Sequence, residues 1–276
     1  MTIDLFAVRS LLFLPASNQR AIAKARTLNA DLVILDLEDA VKPEDKAAAR
    51  AAAVEAVAKP WPMPVAIRIN APWRKREFES RYPEPSQADC EAVAGSAADF
   101  VVLPKAEAGI GEVGQMTGKP VLAMVETPYM VLNLTASLGH PELAGLIVGT
   151  NDLAAELRLP GPVTRPYLGM ALQTVVCAAR SAGLPVWDGV FNALDDPEGL
   201  AAECREGRSL GFDGKSLIHP HQIETCNRIF SPSAQEIERA ERLIAAASGG
   251  AERFEDRMIE NMHVEAAKRV LARAGR

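Results

Sequence analysis

DLVILDLED, residues 31–39, carries apolar side chains at consecutive positions from Leu32 to Leu35 and then closes on Asp36, Glu38 and Asp39. A strand with one wet face alternates apolar and polar residues. A run apolar at successive positions is instead covered on both faces, as in a parallel sheet flanked by helices. Similar runs follow one another along the chain: VRSLLFLP (8–15), PVAIRIN (64–70), DFVVLPKAE (99–107), PVLAMVET (120–127), LAGLIVGTND (143–152), PVWDGVF (185–191) and FDGKSLIHP (212–220). Amphipathic stretches such as 18–28, 44–58, 166–182 and 195–209 lie between them, with Pro or Gly at many junctions. Parallel neighbours need a crossover, and these stretches supply one. Eight such units, about 29 residues apart, predict an α/β chain folded as a (β/α)8 TIM barrel. A doubly wound sheet would more often carry a Gly-rich phosphate loop after its first strand, where this chain reads PASNQR. Two further helices, 233–248 and 261–274, joined by GGAERFEDR, predict a C-terminal helical extension that covers a barrel end or reaches a neighbouring subunit. The expected division is a catalytic barrel over 1–230 and the extension over 231–276.

With 276 residues, 48% of them hydrophobic and 24% charged, the chain has enough core-forming residues to fold, which excludes disorder. Its formal charge of -6, without a long block of like charges, argues against nucleic acid and anionic membranes as partners. The longest charge-free stretches, 127–141 and 166–179, contain Pro, Gly, Asn or Gln and fall short of the roughly 18 apolar residues of a membrane span. Asp4 and Arg9 flank a short apolar run closed by Pro15, unlike a secretory leader, so the expected location is the cytoplasm. Cys90, Cys177, Cys204 and Cys226 show no CxxC pairing and read as thiols rather than zinc ligands or disulfides.

Barrel enzymes build their sites at the C-terminal ends of the strands. Those ends carry Asp36, Glu38 and Asp39, then Arg68 and Asn70, Lys105 and Glu107, Glu126, Asn151 and Asp152, Asp188, and Lys215. Charges are costly to bury unpaired, so a shared polar cluster at one mouth is expected. The competing reading has these groups merely pairing with each other or reaching solvent. Carboxylates without a matching set of His and Cys favour a hard cation such as Mg2+, and Glu126 with Asp152 is the best-placed pair. His219 and His221 straddle Pro220 and read as a loop; no GxSxG elbow is present.

RSLLFLPASNQRAIAKA (9–25), DLEDAV (36–41), RIN (68–70), LPKAE (103–107), VETP (125–128), GTNDLA (149–154) and GFDGKSLIHPHQI (211–223) occur in this order. With these motifs the chain resembles the citrate lyase β-subunit family, within the wider group of HpcH/HpaI aldolases and malyl-CoA lyases. The resemblance implies a TIM barrel, Mg2+, and reversible aldol or Claisen cleavage of a 3-hydroxyacyl-CoA or related short hydroxy acid into an acyl thioester and a 2-keto acid or ketone. It carries the metal ligands onto Glu126 and Asp152, and a substrate-carboxylate clamp onto Arg68. Coenzyme A contacts fall on Phe13, facing the adenine, and on Arg20 and Lys24, facing phosphates. Glu38 and Asp39 are implied holders of metal-bound water. The family's acid/base Asp, delivered from a neighbouring subunit, becomes Glu260 in RMIENMHV, and a homotrimer or dimer of trimers is implied. A second departure, the insertion APWRKREFESRYPEPSQ (71–87), predicts a charged loop beside the substrate mouth. Two other readings stay open: a pyruvate-type aldolase independent of coenzyme A, one version of which uses a Schiff-base lysine at Lys105 or Lys215, and a carrier-binding subunit without turnover of its own.

Overall fold

Strands β1 (Ser10–Pro15), β2 (Leu32–Asp36), β3 (Val65–Arg68), β4 (Phe100–Leu103), β5 (Val121–Val125), β6 (Leu143–Val148), β7 (Val186–Asp188) and β8 (Gly214–Leu217) pair in parallel in this order. β8 pairs back onto β1 and closes the barrel. The structure is a computed structural model that describes residues 3–72, 84–161, 164–247, 250 and 252–275. Helices α1 (Gln19–Ala25), α2 (Lys46–Val57), α3 (Glu84–Ala94), α4 (Ile110–Thr117) and α5 (Pro128–Ser137) each follow one strand. α6 (Thr150–Glu156) and α7 (Gly169–Ser181) both follow β6, and α8 (Pro197–Leu210) and α9 (Gln222–Phe230) follow β7 and β8.

The eight barrel strands are buried along nearly their whole length, as the consecutive apolar runs require. Side chains alternate, so one set fills the barrel: Leu11, Ile34, Ala66, Val102, Met124 and Trp187 pack there as one cluster. Trp187 is fully buried and its indole N–H donates to the Val8 carbonyl at 2.8 Å. Gly145 makes room for it, because a Cβ there would sit 2.6 Å from the ring. The other set meets the helices. α2 buries Ala49, Ala53, Ala56 and Val57, a spacing that gives one small-residue face toward the sheet. α8 starts on Asp196, whose side chain accepts from the Gly199 N–H at 2.8 Å, and continues through Pro197.

Three expectations change. LAGLIVGTND is not one strand, because β6 stops at Val148 and Thr150 to Glu156 form α6, so Asp152 lies in a first helical turn. The insertion is helical from Glu84 onward, where its residues begin α3; residues 73–83 lie outside the described residues. The chain also divides into compact units over 1–227 and 228–276. In the second unit, α10 (Ala234–Ala246) and α11 (Asn261–Arg273) flank a hairpin, β9 (Glu252–Phe254) and β10 (Arg257–Ile259), where the sequence suggested only a linker. Phe254 and Ile259 bury against Ala240, Leu243 and Ala267, so the hairpin has a core within its own unit. Met258 and Met262 stay exposed.

Candidate active site

A cavity of about 390 Å3 opens where the strands end, lined by Phe13, Asp39, Arg68, Glu126, Asp152 and Ser216 among others. Arg68 sits on β3 opposite Asp36 of β2, and this register decides its partners. Its Nε and Nη2 donate to the two Asp36 carboxylate oxygens, each at 2.6 Å. Nη1 lies 3.1 Å from Glu38 Oε2 and 3.8 Å from Asp39. The pair is buried, so the planar fork and carboxylate satisfy each other where water cannot. The bidentate edge that would clamp a substrate carboxylate is therefore engaged by Asp36, and Nη1 is shared between Glu38 and Met124 Sδ at 3.7 Å.

Glu126 is presented by a short strand-to-helix switch. β5 ends at Val125, the Thr127 side chain accepts from the Met130 N–H at 3.1 Å, and Pro128 starts α5, which fixes Glu126 between them. Its Oε1 accepts the Lys105 backbone N–H at 2.6 Å, while its buried Oε2 has no hydrogen-bond partner. Gly149 leaves the space for this carboxyl: a Cβ there would lie 2.5 Å from Glu126 Cβ and nearer still to Oε2. Burial pushes the Glu126 carboxyl up to about 7, opposed by Lys105 and reinforced by Glu38 and Asp152. A buried carboxylate with one unsatisfied oxygen, sharing a cavity with a second carboxylate, suits a hard cation that takes one or two carboxylates and leaves its other positions to water and substrate. Among the described residues, no group of three or more His, Cys, Asp or Glu is arranged as a fuller ligand set.

Lys105 links both halves. Its ammonium is 2.8 Å from Glu38 Oε1 and 4.0 Å from Glu126 Oε1. Burial works against its charge, but Glu38 and Glu126 outweigh that and hold the amine above the ordinary lysine range. Lys215 is likewise held protonated, with burial opposed by Asp188 and Glu203. Both arrangements work against a Schiff-base lysine, which needs a lowered pKa.

The shared cluster expected at one mouth is in fact two. Asp188 and Lys215 do not line the cavity; they pair at 3.1 Å, with Glu203 of α8 at 2.6 Å from Lys215 and Arg165 at 2.6 Å from Asp188. Asp188 follows the inward Trp187, and Lys215 precedes the cavity-lining Ser216, so alternation sends both outward toward α8. Phe13 does not stand free for an adenine: it is on the inward row of β1, its ring 5.2 Å from the Arg68 guanidinium carbon. Arg20 and Lys24 are exposed on α1 and do not line the cavity. Glu38 is buried against Lys105 and Arg68, outside the cavity lining, whereas Asp39 borders it. Glu260 is exposed and caps α11 in the second unit, its N–H donating to His263 Nδ1 at 3.0 Å. Sequence reasoning missed Asp36 as the partner of Arg68, and Ser216 and Gly149 as parts of the cavity.

The family model described as HpcH/HpaI aldolase/citrate lyase matches residues 9–220. A (3S)-malyl-CoA thioesterase of Cereibacter sphaeroides is 40% identical over 275 residues, covering 96% of this chain and 94% of that protein. A citrate lyase subunit beta-like protein of Deinococcus radiodurans is 33% identical, covering 96% of each. Among solved structures, CitE from Mycobacterium tuberculosis in complex with magnesium, acetoacetate and coenzyme A superposes with a TM-score of 0.83 at 32% identity, over 98% of this chain and 100% of that one.

Proposed function

The chain belongs to the HpcH/HpaI aldolase/citrate lyase family, and we propose that it is a Mg2+-dependent carbon–carbon lyase that cleaves a hydroxyacyl thioester of coenzyme A into a shorter acyl thioester and a 2-keto acid or ketone. The observation that carries this reading is the buried, unpartnered Oε2 of Glu126 on the cavity it shares with Asp152. The magnesium and coenzyme A bound by the similar CitE protein support the metal and the thioester. Glu126 and Asp152 would hold Mg2+, which supplies a Lewis acid and a template for a keto acid's carboxylate and carbonyl.

The chain's own groups do the rest. Arg68, anchored by Asp36, presents its Nη1 side as a fixed positive edge for the keto acid's carboxylate. Asp39, on the cavity rim, accepts from water or a substrate hydroxyl. Phe13 packs beneath Arg68 and keeps the acyl end dry. Arg20 and Lys24 offer exposed cations to the coenzyme A phosphates. We assign Glu260 of a neighbouring subunit the proton that returns to the thioester's α-carbon, in a homotrimer or dimer of trimers; the exposed Met258 and Met262 on either side of it support a docked position. Among the described residues, no helix is long and apolar enough to cross a membrane, and the cytoplasm is the location we propose.

The 40% identity to a (3S)-malyl-CoA thioesterase favours a second reaction at the same site, in which water adds to the thioester carbonyl and the coenzyme A thiol leaves. Malyl-CoA with Mg2+ separates the two. Cleavage gives glyoxylate and acetyl-CoA, and hydrolysis gives malate and a free thiol. Glyoxylate release abolished by EDTA is expected; malate and free thiol without glyoxylate would replace the lyase by the thioesterase. Turnover of a 4-hydroxy-2-keto acid with no coenzyme A ester accepted would move the chain to the pyruvate-type aldolases.

A further inference from the structure

Five carboxylates crowd the barrel mouth: Asp36, Glu38, Asp39, Glu126 and Asp152. Only some can meet a metal, and cations sort them. Arg68 engages Asp36 through two hydrogen bonds. The Lys46 ammonium donates to the carbonyls of Leu37 and Glu38 and fixes the backbone of that segment. Lys105 engages Glu38 Oε1 with its side chain, while Arg68 Nη1 stands 3.1 Å from Oε2, and it engages Glu126 with its main chain.

The backbone of Lys105 is unusual. Its φ is +47°, in the left-handed region that favours glycine. Glycine would relax this turn, yet the position carries a long cationic side chain. The conformation accounts for both contacts: Pro104 ends β4, the Lys105 N–H turns toward Glu126 Oε1 at 2.6 Å, and the ammonium reaches Glu38 Oε1 at 2.8 Å. Strain held at a site by what it aims is a recognised pattern. Of the five, Glu38 alone does not line the cavity; Asp36 lines it but is spent on Arg68, and Asp39, Glu126 and Asp152 line it too.

We propose that Lys105 is a positioning residue that decides which carboxylates meet the metal: its ammonium holds Glu38 outside the cavity, and its backbone N–H turns Glu126 so that Oε2 alone is left for the ion. The proposal rests on the reading of Glu126 and Asp152 as the Mg2+ ligands. Two carboxylates and several waters suit Mg2+, whereas a third carboxylate favours Ca2+, which takes more oxygens in a looser shell. Losing the ammonium frees Glu38 Oε1 while Arg68 stays 3.1 Å from Oε2, and the freed oxygen shifts the preference between the two cations.

Calorimetric titration of the metal-free 276-residue protein with MgCl2 and with CaCl2 tests this. Lys105→Met keeps an unbranched side chain and removes the charge, and its ratio of Ca2+ to Mg2+ affinity should rise about tenfold, with kcat at saturating Mg2+ falling about 10- to 100-fold. Lys105→Arg, which keeps a cation near Glu38, should retain the wild-type ratio. Lys105→Gly should show the same shift in a protein at least as resistant to urea as the wild type, because it relieves the positive φ; a residue needed only for folding would not behave so. A wild-type affinity ratio in Lys105→Met and Lys105→Gly overturns the proposal. If Glu126→Gln and Asp152→Asn also bind Mg2+ as the wild type does, the metal site itself is misread; if they lose it, only the role of Lys105 falls.

Discussion

Glu126 is the side chain in which chemistry and stability meet. Unfolded, its carboxyl titrates near 4.5, and in the metal-free fold burial pushes it up to about 7. Between those values the folded chain holds a proton that the unfolded chain has released. Stability of the metal-free protein from this group therefore falls as pH rises through that window. Mg2+ needs the ionised form, so binding at pH 6 should release about one proton from Glu126, a count that shrinks toward zero by pH 8.5. Calorimetry in buffers of different ionisation enthalpy reads this directly, and Glu126→Gln should flatten the fall in melting temperature between pH 5 and 8 in EDTA. Identical pH slopes for the two proteins would mean that Glu126 is not the group held protonated. Glu126 was legible in the sequence because it is a lone charge ending an apolar run. That the fork of Arg68 belongs to Asp36 was not, because it depends on which residues of β2 and β3 fall side by side. The direction of Phe13, inward against Arg68, was not legible for the same reason, since it follows from strand phase.

Elements were legible where pattern and burial agree. The apolar runs became the strands of the barrel because each is covered on both faces. The start of α3 was not legible because EPSQ at its N-terminal end belongs to the charged insertion and contains Pro85, nor was the β9–β10 hairpin, because its three-residue strands are half charged. Two glycines show how one substitution has different meanings on neighbouring elements. Gly145 in β6 borders Trp187, whereas Gly149, just past the same strand, borders the Glu126 carboxyl. Gly145→Ala should cost about 1–3 kcal/mol of stability through overpacking and leave Mg2+ affinity unchanged. Gly149→Ala should displace Glu126 and lower Mg2+ affinity about 10-fold or more, with kcat following. Urea midpoints and metal titrations on both variants separate the effects, and equal Mg2+ affinities in the two would remove Gly149 from the site.

At the scale of the whole molecule, the barrel unit holds the cavity, while Glu260 belongs to the unit over 228–276. That unit buries Phe254 and Ile259 for its own fold and leaves Met258, Glu260 and Met262 exposed. Two exposed methionines on either side of a carboxylate form a small adhesive surface carrying an acid, which fits delivery to a neighbour's mouth. In the closed ring proposed above one interface would repeat, so each mouth would receive a single Glu260. Glu126→Gln subunits lack a metal ligand and Glu260→Ala subunits lack the acid, so each homo-oligomer should be inactive. In an equal, random mixture a mouth works when its own subunit is the Glu260→Ala form and its donor the Glu126→Gln form. About one mouth in four meets that condition. Mixing the two proteins after mild dissociation should therefore restore about a quarter of wild-type activity, and the unmixed samples taken through the same treatment should restore none. A monomer in sedimentation, or silence in mixed subunits proved by mass spectrometry to have exchanged, would refute delivery of Glu260 from a neighbour.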